Sequence, residues 1–187
     1  MNALKSSTLV AFAVFGAWAI YPTAITPPAS AAPARAAPAW RNATWLNAEK
    51  PVALDSLRGK VVLVNFWVFT CGNCTRTIPS LRALDAKHRT AGLQLIGIHT
   101  PEFGPSSGEH DRQNVAAANA RLGVSWPVAQ DNDEATWRLY NIQYWPSFVL
   151  IDRKGNIRFE GYGEFHPDDR SFAIWQSRIE SLLAEPQ

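Results

Sequence analysis

The chain has 187 residues, 47% of them hydrophobic and 18% charged, with 11 Gly, 13 Pro and only two Cys. That composition excludes a disordered chain, a collagen-like repeat and a small disulfide scaffold. Eighteen Lys and Arg against 16 Asp and Glu leave +2, too even a balance for a nucleic-acid footprint, so no nucleic-acid partner is expected. The length suits one domain without internal repeats.

Residues 1–31 read as an export signal. Lys5 gives a short positive region, Leu9 to Tyr21 an apolar stretch of signal-peptide length, and Ala29-Ser30-Ala31 an A-x-A cleavage site. Without cleavage, residues 9–26 would act as an inner-membrane anchor, the only membrane contact expected. Either way the rest of the chain is expected outside the cytoplasm, in the periplasm. Residues 32–40 are Pro/Ala-rich and read as a linker, which leaves 41–187 as the domain.

Val61 to Phe66 (VVLVNF) is a near-continuous apolar run, the pattern of a strand buried on both faces of a parallel sheet. Cys71-Gly72-Asn73-Cys74 follows. Ile78, Leu81, Leu84 and His88 then recur at helical spacing until Gly92, with Pro79 inside the helix, where a kink is expected. Leu93 to Ile98 reads as a second strand, followed by a Pro/Gly/Ser-rich loop and a helix through Val115, Ala118 and Leu122 that Gly123 stops. A short strand near Val128 comes next, then a brief helix over Asp133 to Tyr140. Phe148 to Ile151 and Ile157 to Phe159 form a hairpin about Arg153-Lys154-Gly155-Asn156. A last helix carries Phe172, Trp175, Ile179 and Leu182 after Pro167-Asp168-Asp169. The β-α-β-α-β-β-α order predicts an α/β fold, a mixed sheet covered by helices in a three-layer sandwich.

The cysteine pair sits where a strand turns into a helix. In an oxidising compartment a bridge across so short a loop removes little chain entropy, so its value is chemical more than structural. At a helix N-terminus free N–H groups and the positive dipole end stabilise a thiolate. Cys71, first and more exposed, is expected to attack, and Cys74, one turn inside, to resolve the mixed disulfide. A structural zinc site is not expected. Cys71, Cys74 and His88 approach a finger spacing, but the next His, His99, is too far on and no second Cys pair exists.

The stretches RGKVVLVNFWVFTCGNCTRTIPSL, LQLIGIHTPEF and WPVAQDNDEATWRLYNIQYWPSFVLIDRKG together resemble the thioredoxin-fold thiol–disulfide oxidoreductases of the TlpA/ResA family, and the soluble thioredoxin-like domain of DipZ-type proteins in particular. The resemblance implies a redox-active Cys71–Cys74 disulfide with no further cofactor and no metal. It implies a substrate groove made by Trp67, Gly72, Asn73, Trp145 and Pro146, with Pro146 as the family's cis-proline. Glu102, in HTPEF, matches a glutamate that lies near the cysteines in ResA-like members and would relay protons, while Asn65 replaces thioredoxin's titratable aspartate. His99 would line the site or pack as a polar strand end, and His88, His110 and His166 read as surface or helix residues. Implied partners are periplasmic protein thiols and disulfides, apocytochrome c among them, and a membrane thiol-electron transporter as reductant. Gly72-Asn73 holds neither proline nor histidine, which favours a reductase. A peroxiredoxin is disfavoured because Val68 stands where a threonine is required. The remaining alternatives are a redox-inactive binding or chaperone module and a thiolate metallochaperone.

Overall fold

The structure is a computed structural model that describes residues 35–186. The expected signal segment and its cleavage site lie outside the described residues. Among those described, seven strands form one sheet: β1 (Arg35–Ala36), β2 (Trp45–Leu46), β3 (Val61–Trp67), β4 (Leu93–His99), β5 (Val128–Gln130), β6 (Ser147–Ile151) and β7 (Asn156–Tyr162). Their spatial order is β1-β7-β6-β3-β4-β5-β2. β3, β4 and β5 run parallel, and β6, β7 and the two short edge strands are antiparallel to their neighbours. β3 lies at the centre with all seven residues buried, which is why its apolar run shows no alternation.

The period of two nevertheless sorts its side chains. Val61, Leu63 and Trp67 face one core with Leu93, Leu95, Phe148 and Leu150, while Val62, Val64 and Phe66 face the other with Ile96, Ile98, Val149 and Ile151. The first face is covered by α1 (Gly72–His88), α2 (Arg112–Leu122) and α4 (Arg170–Ala184). Trp175 of α4 packs on Phe148 at 5.6 Å, with Phe165 5.1 Å from Phe148. Asp111 and Asp169 cap α2 and α4 by accepting the Gln113 and Phe172 N–H groups. Gly123 closes α2 in the left-handed region, as the sequence predicts.

The second face has a thinner cover: the N-terminal segment, a 3-10 turn at Leu54–Leu57 and the five-residue α3 (Ala135–Leu139). Here the expected linker needs correction, because residues 35–40 belong to the folded unit. Arg35 and Ala36 pair with Ile157 and Asn156. Trp40 is buried, its indole N–H on the Val52 carbonyl at 2.7 Å, and the Pro38 carbonyl accepts the Tyr140 hydroxyl. Prolines fit beside a two-residue edge strand, where few ladder N–H groups are needed, and one tryptophan anchors the segment. α3 is shorter than expected, and its first N–H groups are capped from outside it: the buried Asp131 carboxylate accepts Thr136 N and Trp137 N.

Candidate active site

β3 delivers the chain to the site. Its ladder continues one step beyond the strand, where Thr100 N–H donates to the Trp67 carbonyl, and a turn then closes with Cys71 N–H on the Val68 carbonyl at 3.3 Å. Cys71 is the N-cap of α1, and its Sγ accepts the Cys74 N–H at 3.2 Å. A sulfur therefore occupies the place where a hydroxyl or carboxylate oxygen usually satisfies the first free N–H groups, at the positive end of a 17-residue helix. Cys71 and Cys74 are joined in a disulfide with Cα atoms 5.3 Å apart. Cys71 is half-buried and Cys74 is 1% exposed.

The structure distributes the remaining expected site residues unevenly. Gly72 and Asn73 are exposed in the first turn of α1, where Arg76 bonds both the Asn73 amide oxygen and the Glu164 carboxylate. The Trp145–Pro146 peptide is cis, and Pro146 itself is buried. Trp145 is half-buried, held between Trp137, stacked at 4.0 Å, and the Thr100 carbonyl, which accepts its indole N–H at 3.1 Å. Trp67 departs from expectation: it is wholly buried and cannot line an open groove. As an odd-numbered residue of β3 it points into the α1-side core. There its indole lies against Gly97, where any Cβ would sit 3.1 Å from Nε1. The aromatic that does reach the rim is Phe69, half-buried and stacked on His99 at 5.5 Å.

The expected buried acid is also a different residue. Glu102 is exposed, whereas Glu109, seven residues later, has no exposed surface. One Glu109 oxygen accepts the Thr70 hydroxyl, and the other accepts the Glu102 and Phe103 N–H groups at 2.7 and 2.8 Å. Glu102 thus contributes its backbone to this arrangement, and its side chain stays in solvent. Nothing in the pattern GPSSGEH marks Glu109, since a lone acid after a Pro/Gly/Ser loop has the signature of a solvated one. Asn65 is buried on the same face of β3 as Trp67, its side-chain oxygen without a partner among the described residues.

His99 closes the strand beneath this turn. Its Nε2 accepts the Phe69 N–H at 3.4 Å, its ring meets Trp67 edge-on at 5.4 Å, and Nδ1 is buried without a partner. Burial pushes its pKa from 6.5 down to about 4, with Glu109 opposing and His110 reinforcing that shift. Between those two values the unfolded chain binds a proton that the folded chain refuses. Stability should therefore fall as the pH drops from about 6.5 to about 4, by up to about 3 kcal/mol, and level off below. Urea unfolding across that range checks this, and the His99→Gln variant should flatten the slope, leaving the part due to His88, whose pKa burial also lowers.

The Redoxin family profile matches residues 30–173. Protein DipZ of Mycobacterium bovis is 46% identical over 115 residues, covering 62% of this chain and 16% of DipZ. The thiol-disulfide oxidoreductase ResA of Bacillus anthracis is 27% identical over 117 residues, 62% of each chain. This chain thus spans less than two thirds of the length of either relative. Among solved structures, a thioredoxin-family thiol:disulfide interchange protein from Chlorobium tepidum TLS superposes with a TM-score of 0.64 at 26% identity, over 82% of this chain and 99% of its own. The thioredoxin-like superfamily protein SPOA0173 superposes with a TM-score of 0.72 at 24% identity, over 82% and 99%, and supports the fold alone. Sequence and fold agree over the same residues: the chain belongs to the Redoxin family and has the thioredoxin fold.

Proposed function

We propose that this domain is an exported protein-disulfide oxidoreductase, acting mainly as a reductase of disulfides in periplasmic client proteins such as apocytochrome c. The observation that carries the reading is the asymmetry of the cysteine pair, one sulfur reachable at a helix N-cap and the other sealed one turn inside. In the reduced protein the Cys71 thiolate, stabilised by the Cys74 N–H and the helix dipole, attacks a client disulfide. A Cys71–client disulfide forms and the first client thiolate leaves. Cys74 then gives up its proton and attacks the Cys71 sulfur, which forms the Cys71–Cys74 disulfide and frees the second client sulfur. Two electrons pass to the client, whose two thiolates take one proton from Cys74 and one from solvent, and a membrane thiol-electron transporter would return the pair to the dithiol.

Trp145 supports client docking. Among the described residues no intramolecular hydrogen bond engages its backbone N–H or C=O, so both are free for an extended client segment laid beside Cys71. Supplied with dithiothreitol, the wild-type domain should reduce the disulfides of insulin well above the rate of dithiothreitol alone. No acceleration would overturn the oxidoreductase reading.

A further inference from the structure

Glu109 is a charged residue without exposed surface at the end of a loop that is otherwise open to water. A carboxylate is tolerated in such a place only when its oxygens are fully bonded, and here three donors meet it: the Thr70 hydroxyl and the Glu102 and Phe103 N–H groups. The carboxylate therefore fastens the loop after β4 to the residue that immediately precedes Cys71. Two hydrogen bonds through one side chain connect the Phe103 amide to Thr70. The ring that this clamp presents is 56% exposed, one of the few large apolar side chains of the domain left in water.

Around Cys71 the small residues Thr70, Gly72 and Asn73 are exposed, and the large accessible side chains are aromatic. Phe69 and Trp145 are half-buried and pack on the core beside it. The cation of the first helical turn, Arg76, is paired with Glu164 at 2.7 Å. The large side chains at the mouth are thus aromatic, and the cation of that first turn is already paired, a surface suited to apolar side chains more than to small charged disulfides.

We infer that Phe103 is a specificity-determining contact for polypeptide disulfides with an apolar side chain beside the attacked cysteine, and that Glu109 is the positioning residue that holds it there. The inference rests on the oxidoreductase reading above. Loop ordering is supplied in advance by the clamp, so a client does not have to fix Phe103 on binding. Glu109 acts through Thr70 and the loop amides and needs no contact with the client.

The test compares two synthetic peptide disulfides, one with leucine and one with serine on both sides of each cysteine, as substrates of the full chain. Wild-type protein should prefer the leucine peptide, and Phe103→Ser should cut the ratio of the two kcat/KM values roughly tenfold, mainly through KM. Thr70→Val removes one hydroxyl and leaves Glu109 in place, so it bypasses any folding defect of a Glu109 variant. It should lower the same ratio and speed hydrogen exchange of the Glu102 and Phe103 amides. A ratio near one in wild type, or a ratio that neither substitution changes, would overturn the inference. Failure of wild type on both peptides would instead overturn the oxidoreductase reading.

Discussion

Cys71→Ser is expected to bring client disulfide reduction down to the background of the reductant alone, whereas Cys74→Ser keeps the attack and loses the release. The argument is geometric. Cys71 Sγ sits at the helix N-cap with the Cys74 N–H directed at it, and the remaining N–H groups of the first turn extend the positive field. A serine there is an adequate cap, so the fold survives, but its hydroxyl is not ionised at neutral pH and cannot open a disulfide. Cys74, almost fully buried, has no access to a client disulfide of its own and reaches only the sulfur beside it. With no third cysteine in the chain, a mixed disulfide on the Cys74→Ser protein persists until an outside thiol removes it. Non-reducing gels and mass spectrometry of the two variants read this directly. Turnover by Cys71→Ser, or trapping through Cys74 in that variant, would contradict the assignment.

The second large effect concerns stability. Trp67→Ala should lower the unfolding free energy by about 3–5 kcal/mol, a large share of the roughly 5–15 kcal/mol that holds such a domain together. The indole is wholly buried in the core that also contains Cys74, Ile78, Leu95 and Trp126. It rests on Gly97 and supplies the edge-on partner of His99. Truncation leaves a cavity under the turn that carries Cys71. A groove residue would behave differently, raising KM for clients with the urea midpoint unmoved. Equilibrium unfolding beside client kinetics separates the two.

Trp67 shows how far the sequence could be read. The run from Val61 to Phe66 and the helical spacing from Ile78 to His88 placed the strand, the helix and the cysteine pair between them, because burial and amphipathicity act through short, regular periods. Deciding which face of β3 takes Trp67 needs the register with β4 and the identity of the helix above, neither of which is local. The edge strands Arg35–Ala36 and Trp45–Leu46 are two residues long, too short for any period, and the Pro/Ala composition around the first concealed it. Glu102 and Glu109 exchanged places for the same reason: the fold of a Pro/Gly/Ser-rich loop decides which acid turns inward. Asp131, which caps α3 from outside the helix, likewise carries no signature at its own position. Legibility therefore followed periodicity. It was high for the buried strands, the long helices and the CGNC motif, and low for the loops that build the rim of the site.

The proposed direction of electron flow draws on the same loops. Neither Gly72 nor Asn73 adds positive charge beside Cys71, and the buried Glu109 side chain bonds the residue that precedes that cysteine, where a negative charge would disfavour a thiolate. Both features support the proposed reductase direction. The most direct test equilibrates the domain with thiol–disulfide buffers of graded potential and counts free thiols by alkylation and mass spectrometry. A single two-electron transition of the Cys71–Cys74 pair near about −270 mV, where reducing oxidoreductases lie, is the predicted result. A midpoint near about −120 mV, the range of strong disulfide donors, would contradict it.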